Sequence, residues 1–276
     1  MSTNISQASD IKGAQVYVVT GANRGLGRAL CLELSQRAIT GVPRHILLVG
    51  RNQQELESTA SAIQTTHVHT HVLSSVELDS DANQVTTLIL DKLQAIVTAL
   101  PSTLSLLCLV NCAGTISDLS KTVAQYTASE VLSYTNVNFV SFASLTSGFL
   151  KYSGQMSGVQ RIAVVNISSL LAVRAFANWG LYAAIKAARD QFVQVAAVEA
   201  QDGGRTKMLN YAPGPLDNQM QAEVRAQISD PEQRKIYDDL HRQGKLVKVE
   251  DTARVMCDLL DKWEFDSGAH IDYYDV

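Results

Sequence analysis

A β-branched run from Val16 to Thr20 passes directly into a glycine-spaced turn and then into an amphipathic stretch, reading QVYVVTGANRGLGRALCLELSQR. This junction limits what the chain can fold into more than any other part of it. A short apolar, β-branched run bounded by a turn signal reads as a buried strand. Gly21, Gly25 and Gly27 then give the spacing T-G-x-x-x-G-x-G, and Leu26, Leu30 and Leu34 recur on the stripe of a helix with one face turned to a core. Glycines here let the backbone approach an anion, while the helix start offers free N–H groups and the positive end of its dipole. The turn therefore reads as a pyrophosphate site, although its spacing differs from the common G-x-G-x-x-G and a tight strand-to-helix connection can look the same.

Strand-like and helix-like runs continue to alternate. His45–Gly50 precedes a helix near Gln53–Gln64, and Val68–Leu73 one near Asp81–Leu100. Leu104–Val110 precedes a long, partly helical segment to about Tyr152, and Arg161–Ile167 a helix reaching Glu199. Thr206–Tyr211 then leads into Pro213-Gly214-Pro215. The alternation predicts a Rossmann-like α/β fold, a three-layer αβα sandwich with a parallel sheet and ligands beyond the carboxyl ends of its strands. A single domain over residues 1–276 is expected, long enough for a sizeable core. Residues 1–13 read as a loose arm. Residues 217–249 are polar and break the alternation, with one or two short amphipathic helices around Pro231; they read as a lid over the substrate.

Hydrophobic residues make up 46% and charged residues 18%, which excludes a disordered chain. A formal net charge of −4 without a dense Lys/Arg block argues against nucleic acid as a partner. No apolar run reaches the ~18 residues of a membrane span. The polar opening MSTNISQASDIKGAQ lacks the apolar core of a secretory signal, so a cytoplasmic location is expected. Cys31, Cys108, Cys112 and Cys257 form no C-x-x-C pair and read as reduced thiols. His67, His69 and His71 would share one face of a strand, but no Cys, Asp or Glu accompanies them at ligand spacing, and no metal is expected.

The segment NISSLLAVRAFANWGLYAAIK, from Asn166 to Lys186, carries the chemistry. Ser169 stands thirteen positions before Tyr182, and Lys186 four after it. A helical turn is about 3.6 residues, so Tyr182 and Lys186 share a face. An unperturbed tyrosine has a pKa of about 10, and a nearby ammonium lowers it by favouring the phenolate. Alone, Y-x-x-x-K describes many solvated helix faces; with Ser169 donating to the same oxygen, the group can polarise a carbonyl and protonate it as hydride arrives. The second strand ends LLVGRNQQ, with Arg51 where NAD sites usually carry an acid, and Arg24 sits in the glycine turn. Two guanidiniums suit a 2′-phosphate, which selects NADPH/NADP+ as cofactor.

TGANRGLG, the Asn111-Cys112-Ala113-Gly114 turn and the Ser169–Tyr182–Lys186 spacing resemble the short-chain dehydrogenase/reductase family over nearly the whole chain from about Val16. VNISSL, WGLYAAIKAARDQ, YAPGPLDNQM and SGAHIDYYD are similar to its sepiapterin-reducing branch. The resemblance implies catalysis by Ser169, Tyr182 and Lys186, with Asn138 as the helix asparagine that holds a water near the lysine. It implies a cofactor cradle of Gly21, Asn23, Arg24, Gly25, Leu26, Gly27, Arg51, Asn111, Ala113, Gly114, Pro213, Gly214 and Leu216, joined by Tyr182 and Lys186. Glu77-Leu78 stands for the family's adenine-contacting Asp-Leu. Ser169, Trp179, Tyr182 and Asp272 are implied at the substrate, a pterin side-chain ketone such as sepiapterin or 6-pyruvoyl-tetrahydropterin, which places the activity in tetrahydrobiopterin biosynthesis. A homodimer through the long helices flanking the fifth strand is implied as well. Cys112 departs from the family's N-N-A-G and lacks an amide that braces neighbouring strands. Two other readings stay open: a reductase of vicinal diketones such as benzil or diacetyl, and a non-catalytic NADPH sensor or scaffold, against which the intact Ser169, Tyr182 and Lys186 weigh.

Overall fold

In the computed structural model, which describes residues 13–100 and 103–276, the strand-like runs join in one sheet. The chain runs β1 (Ala14–Thr20), α1 (Gly25–Gln36), β2 (Arg44–Val49), α2 (Gln53–Ser61), β3 (Val68–Leu73), α3 (Ala82–Thr98) and β4 (Leu104–Asn111). It continues through α4 (Ala128–Thr135), α5 (Ser141–Gly154), β5 (Ile162–Ile167), α6 (Gly180–Glu199), β6 (Thr206–Ala212), α7 (Gln219–Gln227), α8 (Pro231–Arg242), α9 (Val249–Lys262) and β7 (His270–Asp272). The seven strands are parallel in the order β3-β2-β1-β4-β5-β6-β7. Both faces of a parallel sheet are covered, which is why β1, β4 and β5 read as unbroken buried runs. One core joins the sheet to α1, α2 and α9 through Leu30, Leu34, Leu56 and Met256; the other joins it to α3, α5 and α6 through Ile89, Leu93, Phe149 and Val193. This is the expected three-layer Rossmann-like sandwich.

Strand order reverses between β1 and β4, and the crevice at such a switch point is where these folds hold ligands. The segment to Tyr152 divides into α4 and α5, joined by a π-helical turn at Asn136–Val140. Thr127 and Glu130 form a capping box that starts α4. The amphipathic stretch around Pro231 becomes two helices, the second begun by Asp230 accepting from the Gln233 N–H with Pro231 at its first position. Residues 1–12 of the expected arm lie outside the described residues. Among the described residues no helix is long and apolar enough to cross a membrane.

Of the histidine run, His69 and His71 lie on β3 and His67 in the turn before it, so the three do not share a strand face as expected, and β2 adds His45. His45 pairs with His69 across the strands, its ring stacks on those of His69 and His71, and its Nδ1 lies 3.1 Å from His71 Nε2. Burial, then the neighbouring imidazoles, pushes His45 down to about 4; burial, then the Lys92 charge and the His69 imidazole, moves His71 downward as well, so both are neutral near pH 7. No set of three or more His, Cys, Asp or Glu among the described residues is arranged to hold a metal ion.

Candidate active site

Three glycines shape the first turn. Gly27 packs against it so closely that a Cβ there would lie 2.1 Å from the Gly21 carbonyl oxygen. Gly21 has φ +71°, and a Cβ on it would meet the Ala113 backbone at 3.1 Å. Thr20 Oγ1 accepts from the N–H groups of Cys112 and Ala113, both at 3.1 Å, and so ties the turns after β1 and β4 together. Gly25 differs: its φ is +54° and nothing lies within 4 Å of a Cβ built on it. Arg24 precedes α1 without capping it, and the first helical turn carries no acid. The leading N–H groups of α1 thus lack a side-chain cap beside open space, the arrangement that receives phosphate. Gly27→Ala is expected to cost about 2–3 kcal/mol by overpacking, read as a lower melting temperature; an unchanged melt would mean that the two segments separate freely.

Asn23, Arg24, Arg51, Asn52, Glu55 and Glu77 line the outer recess beyond this turn. An acid is therefore present where the sequence reading expected none, but Glu55 is engaged, its carboxylate accepting from Asn23 Nδ2 at 2.6 Å. Arg24 is engaged too, donating from Nη1 to Gln219 on α7, so it links the glycine turn to the expected lid. Arg51 and Glu77 are exposed at the rim, and Leu78 packs against the core.

Ser169 follows the end of β5, and its Oγ accepts from the Leu171 N–H at 3.2 Å. Ser169 and Tyr182 both line the central cavity. Tyr182 and Lys186 lie one turn apart on α6, with Lys186 Nζ 5.5 Å from the tyrosine ring centre and donating to the Ile167 carbonyl at 2.6 Å. Burial pushes the Tyr182 pKa up, while the Ser169 hydroxyl and the Arg189 charge pull it back. Burial, then Arg189, brings Lys186 down to about 7. Asn138 is buried at 4% exposure rather than facing solvent. Its Oδ1 accepts from the Thr115 N–H and its Nδ2 donates to Thr115 Oγ1 and the Tyr134 carbonyl, holding the loop that follows Gly114.

A cavity of about 910 Å³ connects these parts. The glycine turn, Arg51, Glu77, Leu78 and the Ala113-Gly114 turn line one end, and Ser169, Trp179, Tyr182, Lys186, Pro213, Gly214 and Leu216 the middle. Helices α7 and α8 and Asp272 line the rest. Asn138 and Asn111 stand behind the lining rather than in it. Trp179 packs edge-on against Tyr182 (ring centres 5.2 Å apart) and Tyr237 of α8 (6.0 Å). Leu171 and Val224 add to this apolar lining, with the buried Leu119 and Ile228 packed behind them. Ser117 Oγ, Trp179 Nε1 and Gln221 Nε2 are buried on this lining without a partner among the described residues. Sequence reasoning missed Ser117, Gln221 and Arg189, none of which stands apart from its neighbours in the sequence: Arg189 is one of several charged and polar residues on α6.

The short chain dehydrogenase family profile matches residues 15–229. Sepiapterin reductase of Rattus norvegicus is 37% identical over 268 residues, covering 96% of this chain and 98% of that protein. Its counterpart from Xenopus tropicalis is 36% identical, covering 97% and 99%. A benzil reductase ((S)-benzoin forming) of Bacillus cereus is 27% identical, covering 91% and 96%. Among solved structures, the KRED1-Pglu enzyme superposes with a TM-score of 0.76 at 22% identity, over 93% of this chain and 100% of that one, a likeness of fold.

Proposed function

The chain belongs to the short-chain dehydrogenase family and is an oxidoreductase, and on that premise we propose that it reduces a pterin side-chain ketone with NADPH, Tyr182 giving the proton. One observation carries the reading. The side chains of Ser169, Tyr182 and Lys186 line the same cavity as the uncapped start of α1 and as Asp272. The residues fit the cofactor: Gly25 leaves open space for phosphate, and the cavity continues from there to Tyr182. NADPH supplies the hydride. Ser169 and Tyr182 hold the ketone oxygen between their hydroxyls, and the Tyr182 proton passes to it. Lys186 contacts the nicotinamide ribose and, to the extent that it is charged, favours the phenolate. Pro213 to Leu216 line the nicotinamide pocket, Asp272 receives the pterin N–H groups, and residues 217–249 cover the substrate.

NADPH oxidation measured side by side with sepiapterin, benzil and diacetyl tests the proposal. Turnover of sepiapterin well above the other two is the expected result. Preference for benzil supports the second reading, a vicinal-diketone reductase, which the apolar lining of Leu171, Phe176, Trp179 and Val224 and the Bacillus cereus relative favour. No turnover of any of the three returns the chain to the sensor reading. Arg51→Ala should weaken NADPH by about ten- to a hundredfold, the loss of a charge-assisted phosphate contact of ~1.5–3 kcal/mol, and NADH far less. A wild-type preference for NADH would remove Arg51 and Arg24 from the phosphate site. A homodimer through α5 and α6 is proposed as well, where Val195 and Val198 stay exposed on α6; sedimentation as a monomer would exclude it.

A further inference from the structure

Arg189 is 2% exposed on α6, three positions beyond Lys186, and among the described residues no carboxylate forms an ion pair with it. Neutral acceptors hold the guanidinium on three sides. Its Nε donates to Asn166 Oδ1 at 2.8 Å, its Nη2 to the Asn111 carbonyl at 3.0 Å and its Nη1 to the Ala113 carbonyl at 3.5 Å. The Phe142 ring covers it, with the guanidinium carbon 4.2 Å from the ring centre. Asn166 passes its amide to Asp190 Oδ1 and Asn210 Oδ1. Burying a charge without a counter-ion is costly, and filling this space would need no charge at all.

The two carbonyls that Arg189 reaches flank Cys112, whose side chain offers only a weak donor. The groups facing this region are Tyr182, Lys186 and Asp190 on α6, Cys112 on the turn, Tyr134 on α4 and Tyr237 on α8. With Lys186 near 7, its ammonium is only partly present at neutral pH. Arg189, lowered by burial to about 10, remains charged there.

We propose that Arg189 is a positioning residue of this site, bracing the Asn111–Gly114 turn from behind through its carbonyls and supplying the standing positive charge beside Tyr182 and Lys186. Its kinetic consequence rests on the reductase reading; its electrostatic consequence does not. The test compares wild type with Arg189→Gln, which keeps donors for the carbonyls and removes the charge, and with Arg189→Lys, which keeps the charge and loses the fork. Lys186 is titrated by NMR of 15N-labelled lysine in the free protein, assigned with Lys186→Met, and NADPH affinity is measured by its fluorescence.

In Arg189→Gln, Lys186 should titrate about one pH unit higher, because a like charge has been removed. The alkaline limb of kcat for ketone reduction should move up with it, because the phenolate has lost its cation. Arg189→Lys should leave the Lys186 titration nearly in place but weaken NADPH by about tenfold through a loosened turn. Identical Lys186 titration in all three proteins overturns the electrostatic half, and unchanged NADPH affinity in Arg189→Lys overturns the bracing half. If Arg189→Gln does not fold, Arg189→Lys decides alone: a Lys186 titration displaced despite the retained charge overturns the proposal. If wild type reduces none of the ketones while the titration still moves, the reductase reading fails and this one stands.

Discussion

Tyr182→Phe is expected to lower ketone turnover by about 10²–10⁴-fold while NADPH affinity stays within about twofold of wild type. The substitution removes one oxygen. The ring keeps its edge-on packing on Trp179 and its place 5.5 Å from Lys186 Nζ, and Ser169 keeps its bond from the Leu171 N–H, so the cavity wall is preserved. What is lost is the only group in the proposed mechanism that hands a proton to the substrate oxygen. Lys186→Met should differ in kind, damaging turnover and NADPH affinity together, since it removes a proposed ribose contact and leaves the Ile167 carbonyl without its donor. Wild-type reduction should also show a one-sided pH dependence. The reaction needs protonated Tyr182, whose pKa burial pushes upward, and gains from charged Lys186, which burial and Arg189 bring to about 7, so turnover should hold below neutral pH and fall on the alkaline side, first as Lys186 loses its proton and then as Tyr182 ionises. Near-normal kcat in the Phe variant, measured by single-turnover mixing, would falsify the assignment.

What was legible in the sequence had short range or strict period. The glycine turn, the Tyr182–Lys186 turn of helix and the buried runs of β1, β4 and β5 each fall within one element or one junction, where spacing dictates geometry. The same locality explains the gaps. Arg24 is expected at the phosphate from its place in the turn, but its partner Gln219 lies 195 residues away on a helix whose approach no spacing reveals. Glu55 enters the outer recess from α2 and meets Asn23, 32 residues earlier, with α1 and β2 between them in the chain. Arg189 looked like one more charge on a helix because its acceptors belong to the ends of β4 and β5, which only sheet order brings together. The contacts that Asn138 makes with Thr115 and Tyr134 are not legible from spacing, because the π-helical turn at Asn136–Val140 changes which residues of that helix point inward.

Asp272→Asn is expected to raise KM for sepiapterin by roughly 5- to 150-fold, about 1–3 kcal/mol of mismatched hydrogen bonding, and to leave reduction of diacetyl nearly unchanged. Asp272 ends β7, a strand of three residues paired only with β6 and held at His270, whose Nδ1 lies 2.6 Å from Asp190 Oδ2. The carboxylate lines the cavity, and one oxygen already accepts from the Tyr274 N–H at 3.0 Å. A carboxylate oxygen has two lone pairs, so both oxygens can still face a pair of parallel N–H donors such as a pterin's amino and ring nitrogens. Asparagine keeps the bond to Tyr274 with its remaining oxygen, so the backbone turn should survive. The new amide, however, presents a donor to a donor and removes the charge. Diacetyl carries no N–H group and meets only the Ser169 and Tyr182 end, so its turnover reports on the chemistry alone. Selective loss of sepiapterin therefore separates recognition from catalysis. If both substrates suffer equally, the substitution has disturbed the site as a whole; if neither does, Asp272 reads no pterin, and the vicinal-diketone reading takes precedence.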